Sequence, residues 1–146
     1  VVFIRHTQRA EEVDERTFFE DRQTGGTVVS SALREMIRIR DARFPPDDYN
    51  LYVAQASDGD DVPGDVETCI ELLTDDILPT VQYMAYVEIL SQRGQPGFAI
   101  PRESDLWQGY APIAQMHPAL ALRRIAQPRD IFPVFRDLFR REGVAE

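Results

Sequence analysis

The fold is decided by residues 23–33, which read QTGGTVVSSAL, and by residues 57–60, which read SDGD. The first stretch sets two glycines and Thr27 directly before a segment with apolar residues at helical spacing. The second sets Asp58 directly after a predicted buried strand. Paired glycines let the backbone turn tightly and approach another group closely, and open α/β sheets bind ligands at the carboxyl ends of their strands. Both stretches are therefore predicted to belong to one metal-ion site at the top of an α/β sheet.

Strand and helix patterns alternate along most of the chain, which predicts a mostly parallel sheet covered by helices on both faces. The predicted strands cover residues 1–7, 10–15, 50–56, 81–90 and 120–126. The predicted helices cover residues 27–44, 65–78, 103–116 and 131–139, and loops are predicted over residues 17–23 and 91–102. The aromatic residues of the last helix are interpreted as packing residues.

Composition limits the classes of function. A chain of 146 residues can form one domain with a hydrophobic core, and residues 1–146 are predicted to be a single domain. The net charge of −9 argues against nucleic-acid binding, and no apolar run approaches the ~18 residues of a membrane span. All 16 basic residues are arginine, which excludes a lysine nucleophile. With Cys69 as the single cysteine, no disulfide can form within the chain, and a cytoplasmic location is expected.

Thr27 and Asp58 each have a structural interpretation as well. A threonine hydroxyl at a helix start can cap backbone N–H groups, and an aspartate after a strand can cap its own turn. Each residue alone fits the structural role better, but together they fit oxygen ligands of Mg²⁺ or Mn²⁺. The nearby acidic residues are interpreted as solvated loop residues or as the cap of the next helix; they are Asp60, Asp61 and Asp65.

Other side chains have weaker links to chemistry. His6 stands in an Arg-His pair that resembles the Arg-His-Gly motif of histidine phosphatases, but Thr7 replaces the glycine. We therefore interpret His6 mainly as a hydrogen-bonded residue at a strand end. Cys69 lies on an apolar helix stripe and is predicted to be core. Arg123 and Arg124 are interpreted as a solvated strand end.

The sequence resembles the C-terminal part of the YeaH/YhbH family of uncharacterised bacterial proteins, which are related to von Willebrand factor A domains. The resemblance extends over almost the whole chain. It is carried by residues 2–7 (VFIRHT), 12–15 (EVDE), 24–27 (TGGT), 29–33 (VSSAL), 54–60 (AQASDGD) and 130–136 (DIFPVFR).

The resemblance implies a Rossmann-like fold of von Willebrand A type, with a mostly parallel sheet of strand order 3-2-1-4-5-6. It also implies a metal-ion-dependent adhesion site, in which an Asp-x-Ser-x-Ser motif, a threonine and an aspartate bind Mg²⁺. Thr27 matches the threonine and Asp58 matches the aspartate, but residues 1–146 contain no Asp-x-Ser-x-Ser. We therefore expect the first, central strand to lie outside this chain, as in a C-terminal fragment of a longer protein.

The resemblance further implies a cytoplasmic, non-enzymatic adaptor of stress responses and sporulation, which acts with a PrkA-type serine kinase and a SpoVR-like protein. Without the missing motif, Mg²⁺ binding is expected to be weak or absent, and copies of the chain can associate through the exposed sheet. The alternative is a metal-dependent phosphatase or hydrolase that uses Asp58 and His6. A third hypothesis is a scaffold with a vestigial metal site.

Overall fold

A computed structural model describes residues 1–21, 27–90 and 103–139 of the chain. Its strands are β1 (Phe3–His6), β2 (Ala10–Val13), β3 (Tyr52–Ser57), β4 (Tyr83–Ile89) and β5 (Leu120–Ile125). Its helices are α1 (Glu15–Glu20), α2 (Val29–Arg43), α3 (Asp65–Glu71), α4 (Asp105–Met116) and α5 (Ile131–Leu138). A π-helical turn, Leu72–Ile77, continues α3, and a 3-10 turn, Pro128–Asp130, precedes α5. None of these helices is long and apolar enough to span a bilayer.

The strands form two separate ladders within the described residues. β3, β4 and β5 pair in parallel in that order, with Ala54 opposite Ala85 and Ala85 opposite Ala121. β1 and β2 form an antiparallel pair, with Ile4 opposite Glu12. The three-stranded parallel sheet with flanking helices is compatible with the predicted Rossmann-like α/β class. The von Willebrand A type and its strand order stay predictions.

The hydrophobic core lies between the parallel sheet and the helices α2, α3 and α4. β4 contributes Met84 and Tyr86 to this face, and its opposite face packs Ala85 and Val87 against Leu138 of α5. Because both faces of β4 are covered, its sequence is a nearly continuous apolar run, as expected for a central parallel strand. The buried helix residues of the larger cluster are Val29, Leu33, Cys69, Leu73, Ile77, Leu106 and Tyr110.

The N-terminus of α2 is capped by side chains from another part of the chain. The N-cap residue of α2 is Val28, whose side chain cannot accept a hydrogen bond. Asp61 Oδ1 accepts the backbone N–H of Val29 at 3.2 Å, and Asp65 Oδ2 accepts that of Ser30 at 2.8 Å. Asp65 Oδ1 also accepts the Ser30 hydroxyl at 2.5 Å. Two carboxyl groups at the positive end of the helix dipole therefore tie α2 to the start of α3 and the loop before it.

The prediction of a loop after β2 is wrong for residues 17–20, which form most of α1. Asp14 caps this short helix by accepting the backbone N–H of Thr17 at 2.7 Å. The ring of Phe18 packs on Phe3, with 5.2 Å between the ring centroids. A local cap and an aromatic contact with β1 thus stabilise a helical turn that the weak periodicity of the segment did not indicate. The loop predicted over residues 91–102 lies outside the described residues.

The packing predicted for α5 is only partly correct. Val134 and Leu138, one turn apart, pack on the outer face of the sheet. Phe132, Phe135 and Phe139 are 72%, 44% and 61% exposed. A helix of this length places a single stripe of side chains on the sheet, so its remaining aromatic side chains project beyond the contact.

We predict that Asp65→Ala destabilises the chain by about 1–3 kcal/mol, because it leaves the buried N–H and hydroxyl of Ser30 without their acceptor. Urea unfolding followed by circular dichroism measures the change. Asp75→Ala is the matched control, since this acidic residue is exposed on the following π-helical turn; it should shift the free energy of unfolding by less than about 0.5 kcal/mol. Equal effects of the two substitutions would contradict the capping role.

Candidate functional site

Asp58 lies where a strand ends, whereas Thr27 lies just before a helix. Thr27 stands two residues before α2, and the N–H of the adjacent Val28 donates to the carbonyl of Thr7, just beyond β1, at 2.9 Å. Asp58 directly follows β3 and is exposed. Its Oδ1 accepts the N–H of Asp60 at 3.1 Å, so it caps its own turn as its structural interpretation predicted. Thr27 does not occupy the N-cap position of α2, which belongs to Val28.

The cap of α2 brings the segments of Thr27 and Asp58 to the same corner of the fold. Thr27 is two residues before Val29, whose N–H donates to Asp61, and Asp61 is three residues after Asp58. Two residues span at most about 7 Å and three about 11 Å, which limits how far the two segments can diverge. No hydrogen bond joins Thr27 to Asp58 in the described part of the chain, so the structure juxtaposes their segments without a direct bond.

His6 ends β1 near the same corner. Its Nδ1 is buried and has no hydrogen-bond partner among the described residues, so the predicted hydrogen bonding of this histidine is not seen at that atom. Burial lowers the pKa of His6, and the negative charge of Asp58 acts in the opposite direction. The imidazole and the Asp58 carboxylate are therefore close enough to interact electrostatically.

Asp61 and Asp65 are not the solvated or locally capping residues that the sequence predicted. Both are partly buried against the N-terminus of α2. Burial raises the pKa of Asp61 to about 6, and its hydrogen bond with Asp65 adds to this shift. Burial acts on Asp65 in the same direction, but the hydrogen bonds from Ser30 hold the pKa of Asp65 below its ordinary value. The two carboxyl groups are close enough to interact, and Asp61 is the one that takes up a proton more readily.

Glu88 is a buried carboxylate that sequence reasoning missed. It is the penultimate residue of β4, is 1% exposed, and accepts hydrogen bonds from the Tyr86 hydroxyl at 3.2 Å and from the Ser104 hydroxyl. Arg124 Nε donates to Glu88 at 3.3 Å, and the guanidinium stacks on the Trp107 ring, 3.8 Å from its centroid. The interpretation of Arg124 as a solvated strand end is therefore wrong. The sequence contains one indication of this site, which is that Glu88 is the single charged residue in the otherwise apolar or aromatic strand β4.

Gly59 fits closely between Asp58 and this buried group. Its φ is +87°, a conformation that strongly favours glycine. A Cβ added to Gly59 would lie 2.6 Å from Ser104 Cβ and 3.0 Å from Glu88 Oε2. The turn that carries Asp58 is thus held directly against the start of α4 and the end of β4.

A cleft of about 1040 Å³ opens at the carboxyl ends of the parallel strands. Asp58, Glu88 and Ala126 mark the three strand ends on its wall. Among the described residues its lining includes carboxylates and no arginine, and the carboxylates are Asp58, Asp60, Asp61, Glu67, Glu88, Glu103 and Asp105. Such a wall attracts cations and repels anions. Asp58 faces this cleft, whereas Thr27 is not part of the described lining.

We predict that Gly59→Ala destabilises the chain by at least about 1 kcal/mol more than Gly64→Ala. Gly64 has nearly the same φ, +85°, but open space where a Cβ would be. The comparison therefore cancels the backbone strain and isolates the contact with Ser104 and Glu88. Parallel urea unfolding of the two variants measures the difference, and equal losses would show that the Gly59 turn does not depend on this contact.

Comparison with known proteins identifies relatives along the whole chain. A family model described as a protein of unknown function, DUF444, matches residues 1–142. A UPF0229 protein of Chelativorans sp. (strain BNC1) is 49% identical over 146 residues, and one of Mesorhizobium japonicum is 51% identical over 143 residues. A UPF0229 protein of Shewanella oneidensis is 46% identical over 144 residues. No solved structure matches the chain.

These alignments differ in how much of each protein they cover. They include 99%, 97% and 99% of this chain but 34%, 33% and 32% of the three relatives. The chain thus spans about a third of the length of the curated relatives that it matches. The resemblance to a family of uncharacterised bacterial proteins is confirmed, and the chain belongs to the DUF444 (UPF0229) family.

Proposed function

We propose that this chain is part of a von Willebrand A-type module of the YeaH/YhbH kind, which binds a protein partner through a metal ion. Thr27 would supply a hydroxyl and Asp58 a carboxylate to Mg²⁺ or Mn²⁺. The observation that carries the proposal is the cap of α2, since it joins the segments of Thr27 and Asp58 through Val29 and Asp61. The function is binding rather than catalysis.

Two oxygen ligands are too few to hold Mg²⁺ tightly, because this ion takes six oxygen ligands and usually keeps several waters. The remaining ligands would come from the Asp-x-Ser-x-Ser motif that the resemblance implies, from water and from the partner. A carboxylate of the partner fits this role. The wall of the cleft repels such a group unless a cation offsets its negative charge, so partner binding should require the metal.

The partners that we propose are a PrkA-type serine kinase and a SpoVR-like protein, with the module acting as a cytoplasmic adaptor in stress responses or sporulation. These partners are inferred from the resemblance to the YeaH/YhbH family, and they are proposed for the longer protein. An adaptor of this kind should bind its partner in Mg²⁺ and release it in EDTA. Retained binding in EDTA would instead support the scaffold with a vestigial metal site.

Calorimetric titration of the longer protein with Mg²⁺ tests the site. Thr27→Ala and Asp58→Ala should each weaken binding at least about tenfold, since each removes an oxygen ligand. Asp60→Ala is the matched control, because it removes a neighbouring acidic residue of the same loop and should leave the affinity within about threefold. Unchanged affinity in both ligand variants would refute the assignment of Thr27 and Asp58.

A metal-dependent phosphatase or hydrolase is the second candidate, because the His6 imidazole lies close enough to Asp58 for their charges to interact. In that case His6 would act as general acid or base beside a metal held by Asp58. Hydrolysis of p-nitrophenyl phosphate by the longer protein, with and without Mg²⁺, separates the two functions. The adaptor proposal predicts no turnover above background, whereas turnover that is lost in His6→Ala would support the hydrolase.

A further inference from the structure

A second group of potential metal ligands lies beneath the loop that follows β3. Asp65 and Cys69 are four residues apart on α3 and so share one face of the helix. Cys69 Sγ is 3.6 Å from Asp65 Oδ2 and 3.9 Å from Asp61 Oδ2. One ligand atom from each of Asp61, Asp65 and Cys69 lies within 4.8 Å of the others. We refer to these three residues as the Asp–Asp–Cys cluster.

The cluster concentrates acidic groups without a cationic side chain. No described arginine or histidine forms an ion pair with Asp61 or Asp65. Their hydrogen-bond partners are backbone N–H groups, the Ser30 hydroxyl, the thiol of Cys69 and each other's carboxyl group. Asp61 Oδ1 is engaged by the N–H groups of Val29 and Val62, which leaves Oδ2 turned toward the thiol. Asp65 Oδ2 accepts the Ser30 N–H, but a carboxylate oxygen has a second lone pair, and this atom also contacts the thiol. The cluster thus has oxygen and sulfur atoms that can bind a cation while the cap of α2 is retained.

Two buried polar side chains beside the cluster lack a hydrogen bond of normal geometry. The Tyr110 hydroxyl and both polar atoms of the Gln55 amide have no such bond among the described residues, although Tyr110 is fully buried and Gln55 is 9% exposed. The Tyr110 hydroxyl lies near both the thiol of Cys69 and the Gln55 amide, which places it beside the cluster. Unpartnered buried polar groups are rare, and an absent water or ion commonly accounts for them.

We propose that Asp61 Oδ2, Asp65 Oδ2 and Cys69 Sγ bind a zinc ion. In a tetrahedral site, Zn–S of about 2.3 Å and Zn–O of about 2.1 Å separate sulfur from oxygen by about 3.6 Å. The observed separation from Asp65 Oδ2, 3.6 Å, equals this value, and that from Asp61 Oδ2, 3.9 Å, is about 0.3 Å longer. A water molecule would take the fourth position, where the Tyr110 hydroxyl and the Gln55 amide would become its hydrogen-bond partners. Thiolate ligation favours Zn²⁺ over Mg²⁺, which prefers oxygen.

Binding would release the thiol proton, and any proton held by Asp61, to solvent, because metal ligands must be deprotonated. The bound group of one thiolate, two carboxylates and Zn²⁺ would carry a net charge of −1, which lies at the positive end of the α2 dipole. Asp61 is partly exposed on the wall of the cleft and provides the route by which the ion enters. The ion would cross-link the loop after β3 to α3 and hold α2 through its two cap residues. This site is independent of Mg²⁺ binding at Thr27 and Asp58.

Titration of the chain with Zn²⁺ against a chromophoric chelator, and with Co²⁺ in the absorption spectrometer, tests the proposal. The wild-type chain should bind one ion, show a thiolate-to-cobalt charge-transfer band, and unfold at a higher temperature with Zn²⁺ present. Asp61→Asn should weaken Zn²⁺ binding at least about tenfold. It keeps the oxygen that accepts the Val29 N–H and puts an amide nitrogen in place of the ligand oxygen, so the variant should stay folded.

Cys69→Ser should abolish the charge-transfer band, and Asp75→Ala, which removes an exposed carboxylate outside the cluster, is the control that should leave Zn²⁺ binding unchanged. Circular dichroism without metal establishes that each variant is folded; if Cys69→Ser unfolds, Asp61→Asn alone decides the outcome. The proposal is overturned if the wild-type chain does not bind Zn²⁺. It is also overturned if folded Asp61→Asn binds Zn²⁺ as tightly as the wild type, or if bound Co²⁺ shows no thiolate band.

Discussion

The structure depends on the cap that Asp61 and Asp65 place on the N-terminus of α2. A helix that begins with valine has no local acceptor for its first N–H groups, and these groups are partly buried. Their hydrogen-bond acceptors are instead two carboxyl groups that lie 32 and 35 residues further along the chain. This contact fixes α2 against α3 and sets the loop after β3 beside the loop that leads into α2.

The arrangement of charges at this corner follows from that contact. The carboxyl groups are drawn to the helix dipole, but burial and their proximity make it unfavourable for both to ionise. Nearby, Glu88 is neutralised differently, by Arg124 and by the hydroxyls of Tyr86 and Ser104. Glu88 thus has a positively charged partner. Asp61 and Asp65 are stabilised only by the partial positive charges of N–H and O–H groups. A bound cation would neutralise the charge of Asp61 and Asp65 as Arg124 neutralises that of Glu88.

The alternation of strands and helices was predictable because the strong signals are local. β4 is a nearly continuous apolar run, α2 follows helical spacing until Phe44 and the prolines after it, and the later helices bury regular stripes. The short α1 was missed because its stability comes from one cap by Asp14 and from aromatic contacts with β1. A helix of six residues has too little periodicity to recognise.

The candidate site was predictable only in part, since its deciding contacts are distant in sequence. The glycine turn and the strand-end aspartate pointed to Thr27 and Asp58, but capping residues are sought within one turn of a helix. The cap of α2 by Asp61 and Asp65 has no local pattern. The same holds for Glu88, whose partners Ser104 and Arg124 lie 16 and 36 residues away. Composition cannot reveal which buried carboxylates lack a cation.

We propose that the cap of α2 brings the segments of Thr27 and Asp58 to one cation site. Paramagnetic broadening by Mn²⁺ in the amide nuclear magnetic resonance spectrum of the longer protein tests this claim most directly. At substoichiometric Mn²⁺, the amide signals of Thr27, Val28, Asp58 and Gly59 should broaden together and before those of other segments. Broadening confined to the cleft wall around Glu103 and Asp105, with the Thr27 and Val28 signals unaffected, would contradict the account.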